Sequence, residues 1–489
     1  MLTGSVRRVV DFLSKLDSLS RIKVSRIPVR NRRRTLCFEK CESRQLMAGD
    51  ISQSLLLAPT GQTYASDIVF DTLGNKYIAG GFSANSSIDL APDVSFADNR
   101  DVLFNTTGAP VSYVSKYDVD GSFLWARGVN VGGSLKLAPI DDNGVFIAGS
   151  FSGSLIQIGD AQLTSNGGGN DVFLSRLNAN GDFVHTMQLT NRVGDDLFKD
   201  LEYRASSSSL YLTSVEVGTS NVSRVTRYSV SAGGVTEAWT KSLASTRSAT
   251  VQALVLTTSE QVVLAGSFAG TADFEPSAAT YNLSSGPKGN DAAQSGFVWT
   301  LNANGSFSSA VNFVNQKSGK STGYNNITSL AVTSSNEIVV SGTFARSVDF
   351  NPGSGTTVLA DAGNGDAFVV KLNASRTLSW AKGFGTSASD NAAGIAVDRN
   401  TGDIFIGTVT RSTATAQLRK LDSAGSVLWT TQFAGDPHIR WVFALDPTSD
   451  LHVGIDFSGT LSYTDLAGWV TTFTSNPSGE SALFLKIRK

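Results

Sequence analysis

Asp366-Ala-Phe-Val-Val-Lys-Leu-Asn373 leads through a turn to Leu378-Ser-Trp380-Ala-Lys382, then to Gly394-Ile-Ala-Val-Asp398 and Asp403-Ile-Phe-Ile-Gly407. Each phrase alternates apolar and polar positions, which places one face of a short strand in a core and the other against a neighbour. The same order returns in Val111-Ser-Tyr-Val-Ser-Lys-Tyr-Asp118, Gly121-Ser-Phe-Leu-Trp125 and Val145-Phe-Ile-Ala-Gly149-Ser-Phe151. Between the phrases stand Asp120-Gly121, Asn143-Gly144, Asn180-Gly181 and Asn304-Gly305. Glycine there supplies the positive φ that tight hairpins demand. Four antiparallel strands in each repeat of roughly 45–75 residues are the signature of a propeller blade.

First strands fall near Ile68, Leu137, Leu201, Leu254, Leu330, Ile395 and Phe443. The expected fold is therefore all-β, a single seven-bladed β-propeller occupying residues 50–489. Unit three is the least regular, with Tyr211-Leu-Thr-Ser replacing the Ile-Ala-Gly pattern. The last unit offers strands around Trp441–Leu445, Leu451–Ile455 and Ala482–Ile487, and the sequence then stops one strand short. An unpartnered run, Ser52-Gln-Ser-Leu-Leu-Leu-Ala-Pro-Thr60, precedes the first unit. Leu55–Leu57 are expected to supply the missing strand, which would leave no edge open to aggregation. Trp125, Trp239, Trp380 and Trp429 share one fourth-strand position, with His185 there in unit two and Leu57 in the closing strand. A repeated large aromatic reads as packing between blades, because aromatic side chains bury large areas.

The 489 residues carry 40 basic and 42 acidic side chains, but the balance is uneven. Residues 1–49 hold a net charge of +8 and the remainder −10. An acidic body repels phosphate backbones, so nucleic acid is not an expected partner. No apolar run is long enough to span a bilayer. Both cysteines, Cys37 and Cys41, lie in the basic segment, so disulfides do not hold the body together.

Residues 1–49 read as a separate export or targeting segment. Val6, Val9, Val10, Leu13, Leu16 and Leu19 recur at helical spacing among basic residues, and a basic run spans Arg30 to Arg34. The stretch from Thr35 to Asp50, with Phe38-Glu39, Cys41-Glu42-Ser43-Arg44 and Leu46-Met-Ala-Gly-Asp50, resembles the export segment of large secreted planctomycete proteins. That resemblance implies a secreted or cell-surface product cleaved near Ala48-Gly49. The phrases between 366 and 398 resemble the SBBP family of bacterial β-propeller repeats, which implies the fold and little about activity.

Antiparallel strands send alternate connections to opposite faces of the disc. The first-to-second and third-to-fourth turns are short. The connections Ser83–Pro110, Gly153–Asn170, Gly270–Ser295, Arg346–Gly365 and Ser458–Gly479 are long, and long loops on a rigid scaffold are where binding concentrates. Within them Asp89-Leu-Ala-Pro-Asp93, Asp273-Phe-Glu-Pro276 and Asp349-Phe-Asn-Pro-Gly353 recur. Asp273, Asp349 and Asn351 are candidate calcium ligands, with simple turn closure as the competing account. No other cofactor is expected.

Histidine is confined to His185, His438 and His452, which excludes three-His metal sites and disfavours a Ser-His-Asp triad. The expected function is a non-catalytic, monomeric scaffold that binds a protein or glycan through the long-loop face. A propeller enzyme is the alternative, either a polysaccharide hydrolase or lyase with paired carboxylates in the channel, or a quinone-dependent dehydrogenase. The last rests on Leu421-Asp-Ser-Ala-Gly-Ser-Val-Leu-Trp429, which resembles a pyrroloquinoline-quinone propeller repeat. A structural module of the cell envelope is the third.

Overall fold

The computed structural model describes residues 51–488 except 58–59, 92–100, 142, 154, 167–168, 191–193, 287–292, 319–320, 467 and 478, and leaves the side chains of 317–318, 321–322 and 436–440 undescribed. The export-type segment, residues 1–49, lies outside the described residues.

Strands dominate, in four-stranded antiparallel sheets ordered as they occur in the chain. Unit one comprises Thr63–Phe70, Lys76–Phe82, Val111–Tyr117 and Phe123–Val129. Unit two comprises Lys136–Pro139, Val145–Ser152, Asn170–Leu177 and Phe183–Gln188. Unit three has long strands at Asp195–Arg204, Ser209–Val217, Val222–Ser231 and Gly234–Leu243. Unit four spans Ser248–Leu256, Val262–Ala269, Ser295–Leu301 and Phe307–Asn312. Unit five spans Tyr324–Val332, Ile338–Ala345, Asp366–Leu372 and Leu378–Phe384.

Units six and seven share one eight-stranded sheet. The stretch Asp436-Pro437-His438 is part of a continuous strand, Val427–Leu445. Its first part completes unit six beside Thr415–Leu421, and its last part begins unit seven beside Leu451–Thr464. The reason is a neighbouring extension: Tyr463 and Thr464 continue pairing with Phe433 and Gln432, so the backbone stays extended through the crossing.

The anticipated pairing of Leu55–Leu57 with the last strand forms. Ile51–Leu57 pairs antiparallel with Ser481–Ile487, with Leu55 opposite Phe484. That fourth strand comes from the start of the described residues and the third from their end. Unit seven also meets unit one directly, where the Asp456 carboxylate accepts the Ala65 N–H at 2.7 Å.

Three of the third-to-fourth turns are closed in the same way. Asp118, Asn178 and Asp422 each accept N–H bonds from residues two and four positions on. Side-chain closure of this sort replaces backbone bonds that the turn cannot make. A left-handed residue follows, for example Gly181 at φ +80°.

The repeated third-strand cation explains the Phe-Val-x-Lys phrase. Lys371 pairs with Glu337 at 2.8 Å, Lys420 with Asp403 at 2.9 Å and Lys486 with Asp446 at 2.8 Å. In each case the acid lies on or beside the first-to-second turn of the same unit, so a largely buried charge is compensated locally.

Opposite that cation stands the fourth-strand residue. Trp125 lies opposite Lys116, Trp239 opposite Arg227, Trp380 opposite Lys371 and Trp429 opposite Lys420. Each of the first three indoles donates to a turn carbonyl of the next unit: Trp125 to Ala179 (2.9 Å), Trp239 to Ala303 (3.0 Å) and Trp380 to Ser423 (3.2 Å). The turn glycine rests on the ring. A Cβ on Gly181 would come within 2.6 Å of Trp125, and one on Gly425 within 2.9 Å of Trp380. Packing between units is therefore the role of these tryptophans.

His185 occupies the same position opposite Arg176, as expected. Leu57 does not. It lies opposite Ala482, fully buried, and the residue opposite Lys486 is Gln53. Pairing runs without a shift from Gln53 to Leu57, so Leu57 lies four positions past the tryptophan site, an offset that alternation alone does not reveal. Between units four and five the pairing is inverted. Ser309 stands opposite Thr300, and Arg376 replaces the turn glycine at φ +66°. The buried guanidinium of Arg376 bonds Thr300 Oγ1 at 3.2 Å and the Ala374 carbonyl at 2.8 Å.

Candidate functional site

Residues from the first strands of all seven units line one cavity of about 710 Å3. Its charged lining comes from units one to three: Asp67, Lys136, Asp200 and Glu202. Asp67 accepts the Leu137 N–H at 2.9 Å and pairs with Lys136 at 3.3 Å. Asp200 accepts the Leu254 N–H at 2.7 Å and the Leu201 N–H at 3.0 Å. Each carboxylate thus bonds the first strand of the following unit. In both cases it follows a bulge, which turns the side chain sideways along the cavity wall.

Burial raises the Asp67 and Asp200 carboxyls, and the Lys136 ammonium and the backbone N–H bonds oppose that rise. Lys136 is held up chiefly by the Asp67 charge. Glu202 differs from its neighbours, having no hydrogen-bond or ion-pair partner among the described residues. Burial, reinforced by the Asp200 charge and opposed by Arg399, pushes its carboxyl up to about 7. Sequence reading left the channel carboxylates unplaced. Their shared position after a strand bulge was the available signal, but bulges are not visible in alternation.

The second-to-third connections carry structure of their own. Antiparallel pairs form at Ser86–Asp89 with Val102–Asn105, Ile156–Ile158 with Ala161–Leu163, Thr271–Asp273 with Asn282–Ser284, and Ser347–Asp349 with Val358–Ala360. In unit seven the second strand continues and pairs with Val470–Thr474. Units three and six join these strands through short 3-10 turns or bends instead.

The candidate calcium ligands close these hairpins. Asp273 Oδ1 accepts N–H bonds from Glu275 (3.0 Å) and Tyr281 (2.8 Å). Asp349 Oδ1 accepts from Asn351 (3.0 Å) and Thr357 (2.8 Å), and Asn351 Oδ1 accepts from Gly353 (2.9 Å). Asp273 and Asp349 lie on different hairpins. The residue after each is the anchor: Phe274 and Phe350 are fully buried, packed edge-on against Phe268 and Phe344 respectively. The Asp-Phe phrase is thus a turn closure followed by a core plug.

One hairpin presents an aromatic outward. Asp465 Oδ1 accepts the Trp469 N–H at 2.8 Å, and the Asp465 N–H bonds the Trp469 carbonyl at 3.0 Å. Trp469 is 66% exposed on this braced turn, beside Val470 at 62% and Leu466 at 40%. Isolated exposed apolar residues are ordinary, but three close together in the chain can form a patch suited to recognition.

The histidines separate. His452, in the second strand of unit seven, is buried and bonds Asp446 at 3.2 Å. Burial raises the Asp446 carboxyl, but bonds from His452, Lys486, Thr448 and the Asp450 N–H outweigh it and hold the group well below its ordinary value. His185 Nε2 is buried without a hydrogen-bond partner among the described residues. His438 falls among the undescribed side chains.

No family model and no curated protein matches the chain. Among solved structures it is similar to the quinohemoprotein alcohol dehydrogenase ADHIIG of Pseudomonas putida HK5, at 10% identity and TM-score 0.39, over 88% of this chain and 76% of that one. A protein of unknown function from Dyadobacter fermentans aligns at 9% identity and TM-score 0.37, over 91% of this chain and all of the other. The periplasmic gluconolactonase PpgL of Pseudomonas aeruginosa aligns at 9% identity and TM-score 0.40, over 75% and 84%. Among the described residues no helix is long and apolar enough to cross a membrane.

Proposed function

We propose that the seven units close into a ring and that this propeller is a non-catalytic, secreted or surface-displayed scaffold. It binds a protein or glycan through the face bearing the accessory hairpins. The closure reading is supported by the Ile51–Leu57 strand, the Asp456–Ala65 bond and the cavity lined from all seven units. The export reading is supported by the basic segment and its Leu46-Met-Ala-Gly-Asp50 end.

The observation that carries the binding reading is Trp469. Two hydrogen bonds tie Trp469 to Asp465 while its indole stays exposed, and aromatic anchors of this kind dominate recognition surfaces. Asp67 and Asp200 meanwhile spend their lone pairs on backbone N–H groups, which ties them to assembly rather than turnover. The test is an array of glycans and extracellular proteins probed with the parent and Trp469→Ala. Binding by the parent that drops at least tenfold in the variant is expected. Equal binding by both would remove this face from the proposal.

A second reading rests on Glu202, the unlatched channel carboxyl with a value near neutrality, which suits a general acid in polysaccharide cleavage. Release of reducing ends from a polysaccharide panel by the parent, absent in Glu202→Gln, would establish it over the scaffold reading.

A further inference from the structure

The junction between units seven and one lacks the indole that stands at four others. Gln53 occupies that position, and Gly121 has only Gln53 Oε1 at 3.8 Å from where its Cβ would be. In the space a tryptophan would take lies a cleft of about 370 Å3. The comparable site under His185, between units two and three, also opens into a cleft, of about 350 Å3, whereas Arg376 occupies the junction between units four and five. A cleft therefore follows the missing indole unless another side chain fills it.

The walls of the seven–one cleft are largely apolar, including Leu55, Leu90, Phe123 and Phe484. Its charges are unequally satisfied. Lys486 is engaged by Asp446 at 2.8 Å and Asp450 at 3.4 Å. His452 bonds Asp446 and stacks edge-on with Phe70 at 4.7 Å. The Tyr117 hydroxyl donates to the Leu90 carbonyl at 2.7 Å. Asp120, at the rim, is exposed and solvated. Lys76 is the remaining cation, with no hydrogen-bond or ion-pair partner among the described residues; its Nζ lies 5.0 Å from the Tyr117 ring centroid, and the Lys486 charge acts on it.

We infer that this cleft binds a small carboxylate with an apolar body, the carboxylate meeting Lys76 and the body lying on Leu55, Phe123 and Phe484. A cation in an apolar wall without a counter-charge is costly, and an incoming anion removes that cost. The volume is of the order that small-ligand sites occupy. Burial, together with the nearby Lys486 charge, lowers the Lys76 ammonium to about 8. The bound anion therefore has its partner charged at pH 7 and loses it as the pH rises through 8 to 9.

The test titrates the full chain with naphthoate and with the neutral naphthyl methanol, followed by calorimetry. Saturable naphthoate binding is expected, at least about tenfold weaker for Lys76→Met, largely restored in Lys76→Arg, and weakening from pH 7 to 9. Gln53→Trp, which refills the cleft, is expected to abolish it. Naphthyl methanol should bind more weakly and be indifferent to Lys76→Met. No saturable naphthoate binding, equal affinity in Lys76→Met, or binding that survives Gln53→Trp would each overturn the inference. Cooperative melting of each variant confirms its fold, and should Lys76→Met not fold, the pH dependence and Gln53→Trp still decide.

Discussion

The junction between units five and six and the junction between units seven and one are built on the same turn. Asp422 to Ser426 and Asp118 to Ser122 are closed by the same pair of side-chain bonds and carry glycine at φ +85° and +87°. Under the first lies Trp380, with its N–H on the Ser423 carbonyl. Under the second lies Gln53, exposed to solvent. One position thus decides whether a junction is solid or open, while the hydrogen-bonded frame around it stays constant. The teaching is that repeat geometry and repeat packing are specified separately: turns and strand pairing fix the frame, and one side chain per unit fills it.

The most severe way to break the comparison is to remove a strand rather than a side chain. Deleting residues 1–57 takes away the partner of Ser481–Ile487 and bares an apolar edge that includes Phe484. Loss of cooperative unfolding and aggregation are expected in light scattering and urea denaturation. A chain starting at Ile51 should unfold cooperatively.

Next in size, Trp125→Ala empties a junction that is normally solid. Trp125 is 6% exposed, and removing a buried Trp costs about 3–5 kcal/mol in urea unfolding. Gln53→Ala, at the same register but exposed, should change stability by less than about 0.5 kcal/mol. Similar losses at the two positions would refute the idea that the indoles fill the junctions.

The turn glycines sharpen it further. Gly425→Ala meets both a left-handed backbone and the Trp380 ring, so a loss of about 1–3 kcal/mol is expected. Gly121→Ala meets only the backbone penalty, about 1 kcal/mol. A Gly121 variant as damaged as the Gly425 variant would show that the open junction is occupied in solution.

A pH dependence in the channel is also expected. Glu202 has a folded value near 7 against an ordinary 4.5, so between those values the native state holds the proton more firmly than the unfolded chain. Its contribution to stability is full below about 4.5 and declines as the pH rises toward 7. Glu202→Gln should flatten that part of the stability-pH curve. A variant curve parallel to the parent across this range would place the titration elsewhere.

Much of this was legible in the sequence because it depends on local chemistry. Alternating apolar phrases located every first strand, and the Asp-Gly and Asn-Gly pairs located turns that need positive φ. The unpaired run at 52–60 located the closing strand, since a four-strand repeat that stops at three needs a partner. The packing tryptophans were legible because they recur at one place in the phrase. What failed were inferences about register. Leu57 looked equivalent to the tryptophans, but the strand pairs four residues out of that alignment and puts Gln53 opposite Lys486. Asp67 and Asp200 were invisible as neighbours, because they sit 133 positions apart and meet only around the cavity.

The sequence by itself determined the all-β repeat, the order of its four main strands, and many of the short turns that join them. These follow from period-two burial and from backbone angles that few residues adopt. Only the tertiary structure decided which junctions are filled, which carboxylates bond a neighbouring strand and which cation is left uncompensated. Those outcomes depend on register and on the approach of residues far apart in the chain, where a shift of one residue exchanges what is buried for what is free.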